Sequence, residues 1–184
     1  LMIVGQSGSG KSSLLRAIAG LWQSGSGTIL RPPPRDIFFL PQQPYMLIGS
    51  LRAQLLYPNN DTSISDEQLL EVLEQVNLTE LASRFGGLDV ELDWEKVLSV
   101  GEQQRLAFAR VLLARPRFAI LDEATSALDP ANEAALYRQL QETGTTLVSV
   151  AHRASILKYH TQVLELTGNC GWATHAANRY RFSQ

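Results

Sequence analysis

An apolar tetrapeptide, Leu1-Met2-Ile3-Val4, runs straight into Gly5-Gln6-Ser7-Gly8-Ser9-Gly10-Lys11-Ser12, and no other junction in the chain constrains the fold as much. A glycine, four variable residues and then Gly-Lys-Ser is the pattern of a turn that wraps phosphate. The glycines let backbone N–H groups close around an anion without a Cβ in the way. Lys11 adds a full positive charge, and Ser12 offers a hydroxyl to a hard cation. Such help is needed, because one helix N-terminus contributes only ~0.3–1 kcal/mol to an exposed anion, and up to ~2 when partly buried. The turn requires a strand before it and a helix after it. Leu1–Val4 reads as that strand, and 12–19, with Leu14, Leu15 and Ile18 at core spacing, as that helix.

The rest of the chain alternates strand and helix. Thr28–Leu30, Asp36–Leu40, Phe118–Leu121, Leu147–Val150 and Gln162–Leu166 read as strands, and a last strand pair is expected from Gly168 around Trp172 and Tyr180. Pro32-Pro33-Pro34 cannot lie inside a helix. Ser65-Asp66-Glu67-Gln68 and Ser99-Val100-Gly101-Glu102 are both capping boxes, each followed by a helical pattern. Asp129-Pro130 caps a further helix, and Ala154–Tyr159 reads as a short one. These elements predict an α/β fold with a mostly parallel sheet covered by helices on both faces. Residues 1–49 and 115–184 form the expected α/β core, and residues 50–114 a small helical subdomain.

With 184 residues the chain can bury one sizeable core. A formal net charge of −2 supplies no electrostatic reason to bind nucleic acid. The single cysteine, Cys170, forbids an internal disulfide and, with His160 and His175 read as structural, leaves no zinc site. No apolar run reaches the ~18–20 residues of a membrane span. The sequons at Asn60 and Asn77 read as chance patterns. Because the chain opens directly on a strand, with nothing ahead of it to pair with, it is expected to be N-terminally truncated.

Phe118-Ala119-Ile120-Leu121 ends in Asp122-Glu123, so a buried strand delivers two carboxylates at its C-terminal edge, where this kind of sheet places ligands. Asp122 is a candidate for Mg²⁺, and Glu123 for polarising an attacking water.

Leu98-Ser99-Val100-Gly101-Glu102-Gln103-Gln104 resembles the signature motif of the ATP-binding cassette (ABC) ATPases, a P-loop NTPase family. Val100 stands where that pattern has a glycine-like residue, while Ser99 and Gly101 are in place. The resemblance runs along nearly the whole chain. It implies that Gly5, Gln6, Ser7, Gly8, Ser9, Gly10, Lys11, Ser12 and Ser13 hold ATP. Ser99, Gly101 and Glu102 would complete the ATP site of a second copy. Gln42 resembles the Q-loop glutamine, with Gln43 the adjacent alternative, and would meet Mg²⁺ together with Ser12 and Asp122. It would also link to a transmembrane domain. Ser126–Asp129 resembles the D-loop at the dimer interface, and His152 the switch histidine. Glu123, His152 and Gln42 are thus the implied catalytic residues, and ATP and Mg²⁺ the implied ligands.

Gly20-Leu21-Trp22, Pro44-Tyr45-Met46, Gly49-Ser50-Leu51-Arg52, Asp93-Trp94 and Lys158–Thr161 resemble subfamily D, the peroxisomal fatty-acyl type, while 101–105 look more like its bacterial inner-membrane relatives. The implied protein is the ATPase domain of a transporter, at the cytosolic face of a bacterial inner membrane. It would act as a head-to-tail dimer, with no nucleic acid, on fatty acyl or similar hydrophobic or peptide cargo. A soluble ABC ATPase acting on ribosomes or DNA is the alternative. In the family an aromatic residue upstream of the P-loop stacks on adenine. Its expected absence predicts weak ATP binding and slow turnover by the chain alone.

Overall fold

A computed structural model describes residues 1–59 and 61–182. The sequon at Asn60 lies outside the described residues. By its internal contacts the chain divides into two units: 1–42, 116–126 and 144–184 in one, 43–115 and 127–143 in the other.

The first unit is the α/β core. Its sheet has the order β2-β5-β6-β1-β7-β8, formed by β1 (Met2–Gly5), β2 (Ile37–Leu40), β5 (Phe118–Asp122), β6 (Thr146–Val150), β7 (Gln162–Gly168) and β8 (Gly171–Ala176). All pairings are parallel except β7 with β8. β1 lies between β6 and β7, both supplied by later sequence, so it needs no preceding strand as a neighbour. Met2, Ile3 and Val4 are all buried, as are Ala119, Ile120 and Leu121, which explains why both strands read as unbroken apolar runs. Helix α1 (Lys11–Ala19) covers one face, packing Leu15, Leu14 and Ile18 on Ile3, Ile120 and Val150.

On the alternate residues of β6, Ser149 is buried against His160, which follows the 3₁₀ turn Ala154–Tyr159. The Ile156 carbonyl can only accept, so His160 Nδ1 donates to it at 3.0 Å, and neutral Nε2 accepts from Ser149 Oγ at 3.0 Å. Burial pushes the His160 pKa down to about 4, which keeps the ring neutral.

Two expectations change. Thr28–Leu30 forms no strand: no strand of the sheet pairs with it, and Leu30 is 94% exposed. Arg31 after it folds back to donate to Ala19 O at 2.6 Å, at the C-terminus of α1. The tail holds one strand, β8, rather than a pair. Trp172 is on it, whereas Tyr180 comes after the turn that follows, with its hydroxyl donating to Glu165 at 3.2 Å.

The second unit is mainly helical: α2 (Leu51–Leu56), α3 (Asp66–Gln75), α4 (Leu81–Phe85), α5 (Trp94–Val97), α6 (Val100–Ala114) and α7 (Pro130–Glu142). It also carries a two-stranded antiparallel sheet of β3 (Ile48–Ser50) and β4 (Glu91–Asp93). Trp94 is fully buried, edge-on to Phe85, with Nε1 donating to Gly49 O at 2.7 Å. This unit is larger than the expected 50–114. Residues 43–49 join through Gly49 and Leu47. Helix α7 joins because Tyr137 stacks near Phe108 of α6 and Gln139 donates to Gln75 O at the end of α3.

Candidate functional site

Within the α/β unit, the turn after β1 is built by backbone geometry. Gly5 has φ 144°, and a Cβ there would lie 2.5 Å from Leu166 O on β7. Only glycine fits at that position, both for its dihedral and for the close approach. Gly8 and Gly10 have φ 78° and 94°, and Gly10 precedes α1 without a side-chain cap. The first N–H groups of α1 thus stay available to an anion. Lys11 Nζ curls into the turn and donates to Gly5 O at 2.9 Å and Gln6 O at 2.8 Å. Ser9 Oγ is shielded from solvent and has no hydrogen-bond partner among the described residues. An orphaned hydroxyl beside a bare helix start and a lysine fits a phosphate group.

The carboxylates arrive from β5. Asp122 is buried and accepts from Ser12 Oγ at 2.8 Å, so two hard oxygen donors stand side by side, a donor set suited to Mg²⁺. Among the described residues no group of three or more His, Cys, Asp or Glu residues could hold a metal, so such an ion would take its remaining ligands from phosphate, water or Gln42. Glu123 breaks the strand with φ 50°, a left-handed conformation that costs about 1 kcal/mol or more outside glycine. Its backbone N–H donates to Val150 O at 3.1 Å, the last residue of β6. The strain turns the carboxylate off the sheet edge. There Oε2 accepts from Gln42 Nε2 at 3.2 Å, and Oε1 lies 2.8 Å from His152 Nε2. A carboxylate can only accept, so this nitrogen of His152 carries the proton. Ser7, Gly8, Lys11, Ser13, Glu123 and His152 are among the residues lining a cavity of about 290 Å³. Of the residues expected to hold phosphate, metal or water, all those on the α/β unit therefore sit on the P-loop or at the ends of β2, β5 and β6. His175 lies on β8 against Glu165, and His160 supports β6, both in structural positions.

Ser99, Gly101 and Glu102 belong to the helical unit. Ser99 is the N-cap of α6, and the box closes both ways: Glu102 N donates to Ser99 Oγ, and Glu102 Oε2 accepts from Ser99 N at 2.8 Å. Burial works against ionisation of Glu102, but the Ser99 N–H, Arg84 at 2.7 Å and the Ser99 hydroxyl outweigh it and hold the carboxyl below its ordinary range. A Cβ on Gly101 would make only ordinary contacts, 3.5 Å to Ala127 O and 3.6 Å to Leu128. Nothing among the described residues requires glycine there, whereas a bulky group approaching the helix end from outside would.

Sequence reasoning missed Gln104, which is buried and whose Oε1 accepts from Ala127 N at 3.0 Å, fastening 127–129 beside the start of α6. It also missed Arg84, Gln54 and Arg110. For Gln54 and Arg110 the only signal was polarity at helix positions that the apolar period assigns to the core, and exposed Arg84 carried none.

Comparison with known proteins agrees with this geometry. The ABC transporter family profile matches residues 1–126. An uncharacterised ABC transporter ATP-binding protein of Synechocystis sp. is 57% identical over 97% of this chain and 27% of its own length. The chloroplastic ABC transporter D family member 2 of Arabidopsis thaliana is 44% identical over 91% of the chain and 30% of its own. The human lysosomal cobalamin transporter ABCD4 is 44% identical over 94% and 30%. A bacterial Atm1-family ABC exporter solved with ATP bound superposes with a TM-score of 0.76 at 26% identity, covering 89% of this chain and 31% of that one. The chain thus spans under a third of the length of these relatives. With the family profile matching residues 1–126 and relatives up to 57% identical over nearly the whole chain, it belongs to the ABC transporter family as an ATP-binding domain.

Proposed function

We propose that this domain binds Mg-ATP and hydrolyses it as the paired ATPase of a membrane transporter. The observation that carries the reading is the Glu123 carboxylate, held by Gln42 and His152 and lining the same cavity as the glycine turn and Lys11. Gly5–Ser13 would surround the phosphates, with Lys11 leaving its loop carbonyls for the stronger charge of the β- and γ-phosphates. Ser12, Asp122 and Gln42 would hold Mg²⁺, which when bound neutralises phosphate charge. Glu123 would take a proton from the attacking water as it adds to the γ-phosphorus and the bond to the β,γ-bridging oxygen breaks, giving ADP and phosphate. His152 would keep Glu123 oriented and meet the γ-phosphate.

Ser99, Gly101 and Glu102 would close the nucleotide site of a second copy, head to tail. The N-terminal dipole of α6 and the glycine whose Cβ position meets only ordinary contacts both support this. Opening and closing of that pair would drive a transmembrane domain. None of the described helices is long and apolar enough to cross a membrane, so the spans would come from other sequence. The similarity to D family transporters favours the cytosolic face of a membrane, in a bacterium the inner membrane. It also favours a transport role over a soluble one on ribosomes or DNA, with fatty acyl or similar hydrophobic or peptide cargo proposed, or a vitamin such as the cobalamin for which the human relative is named.

Glu123→Gln in the full-length protein tests this. Turnover should fall by about 10²–10⁴-fold while ATP affinity is kept, because the base is lost and the cradle stays. The variant should also accumulate as an ATP-dependent dimer. Normal turnover would remove Glu123 from the role given to it.

A further inference from the structure

Arg110, on α6, is a cation that the nucleotide chemistry does not use. It is 3% exposed, and among the described residues it pairs with no carboxylate. Nε donates to Gln54 O at 2.7 Å, Nη1 to Tyr45 O at 2.7 Å and Nη2 to Gln54 Oε1 at 3.0 Å, so every hydrogen-bond partner is neutral. Nη1 carries a second N–H, which has no partner among the described residues. The guanidinium lies 5.3 Å from the Tyr57 ring centroid, which offsets only part of its charge. A buried charge without a counter-ion is unfavourable, and burial pushes the Arg110 pKa down to about 10.

Arg110 also lines a cavity of about 120 Å³ that lies wholly within the helical unit. Leu55, Leu56, Ile64, Leu113 and Ala114 supply its apolar wall. Asp61 is the other charged residue of the lining. Its Oδ1 accepts from the N–H and the hydroxyl of Ser63, at 2.9 and 2.6 Å, while Oδ2 has no partner among the described residues. Asp61 and Arg110 form no ion pair with each other. Leu113 and Ala114 are the last residues of α6, so the negative end of that helix borders the cavity as well. A simple anion would gain from Arg110 and be repelled by Asp61, and a simple cation would meet the reverse. A molecule carrying both charges is matched by both residues. The apolar wall asks for an aliphatic body, and the volume, the room of about four waters, asks for a short one.

We propose that this cavity binds a small aliphatic amino acid, of the alanine-to-valine class, with its carboxylate on Arg110 and its ammonium on Asp61 and the C-terminal end of α6. The side chain of the amino acid lies on Leu55, Leu56 and Ile64. The molecule is a ligand and not a reactant: no bond is made or broken, and it supplies the counter-charge that Arg110 lacks. Arg110 stands about 16 Å along α6 from Ser99, so the site is separate from the proposed phosphate contacts and does not depend on them.

Titration calorimetry of the full-length protein with valine and alanine tests this. Binding should be saturable, with one molecule per chain. Isovalerate, which is valine without the ammonium, and isobutylamine, which is valine without the carboxylate, each lose one charge pair and should bind about tenfold or more weakly than valine. Phenylalanine exceeds the cavity and should bind at least about tenfold more weakly too. Arg110→Met, which keeps the volume and removes every donor, should weaken valine by about tenfold or more. Asp61→Asn should weaken valine by a similar factor while isovalerate binds as before or more tightly, because the repelling carboxylate is gone. Asp61 is exposed, so this variant decides the matter if Arg110→Met folds poorly. Absence of saturable binding would overturn the proposal, as would isovalerate binding as tightly as valine. Valine affinity unchanged by Asp61→Asn would place the amino acid elsewhere in the full-length protein and overturn it as well.

Discussion

The glycine turn after β1 and the serine-capped start of α6 are both proposed phosphate sites, yet they are built on opposite principles. In the first, the chain itself dictates the residue: Gly5 is locked by φ 144° and by Leu166 O, and Ser9 Oγ is left without a partner inside the turn. In the second, the capping side chains find partners locally. Ser99, Glu102 and Arg84 bond one another, and Gly101 has room for a methyl group. A site that is complete in its own chain shows its purpose as strain and orphaned groups. A half-site shows it as a small residue with no internal reason to be small.

Four changes would break or sharpen that contrast. The largest effect is expected from Gly5→Ala, which forces a Cβ to 2.5 Å from Leu166 O at a dihedral that L residues rarely adopt. It should lower unfolding stability by about 4 kcal/mol, read by urea denaturation of the chain. A loss below about 1 kcal/mol would show that the turn is not locked as described. Next, Lys11→Ala should weaken ATP binding by about 10²-fold with little change in stability, measured by titration calorimetry on the full-length protein, because a charge-assisted contact is lost.

Third comes pH. The His160 pKa falls on folding from 6.5 to about 4, so its contribution is fully present above pH 6.5 and is lost as pH drops toward 4. Between pH 7.5 and 5.0 the chain should lose about 2 kcal/mol by urea denaturation, and His160→Gln should flatten that slope. The capping box of α6 behaves differently. The Glu102 carboxyl is held low, so its share persists above the ordinary carboxylate range and disappears only in stronger acid. Acid should therefore weaken the α/β unit before the helical one.

The smallest effect separates the two glycines most directly. Gly101→Ala should leave stability unchanged or raise it by up to about 1 kcal/mol, since Ala suits a helix interior better. Turnover of the full-length dimer should nevertheless fall by about tenfold, as a methyl group meets whatever closes on the helix end. Equal turnover would mean that no partner approaches Gly101.

Local sequence determined whatever depends on short-range chemistry. The glycine turn between strand and helix, the two capping boxes, the Asp129-Pro130 helix start and the carboxylates ending β5 all lie where residue spacing puts them, because dihedrals and capping bonds span only a few residues. Sequence also indicated which side chains are proposed to meet phosphate, metal or water, since those types are expensive to place at a sheet edge. Only the tertiary structure decided what depends on pairing at a distance. Thr28–Leu30 has strand-like residues and no strand beside it, and the tail makes one strand where two were expected. β1 pairs with β6 and β7 from the far end of the chain, and α7 groups with the helical unit through Tyr137 and Gln139. The Gln104, Gln54 and Arg110 connections appear only once helices are packed, because a buried polar side chain is chosen by acceptors that the linear order never brings near it.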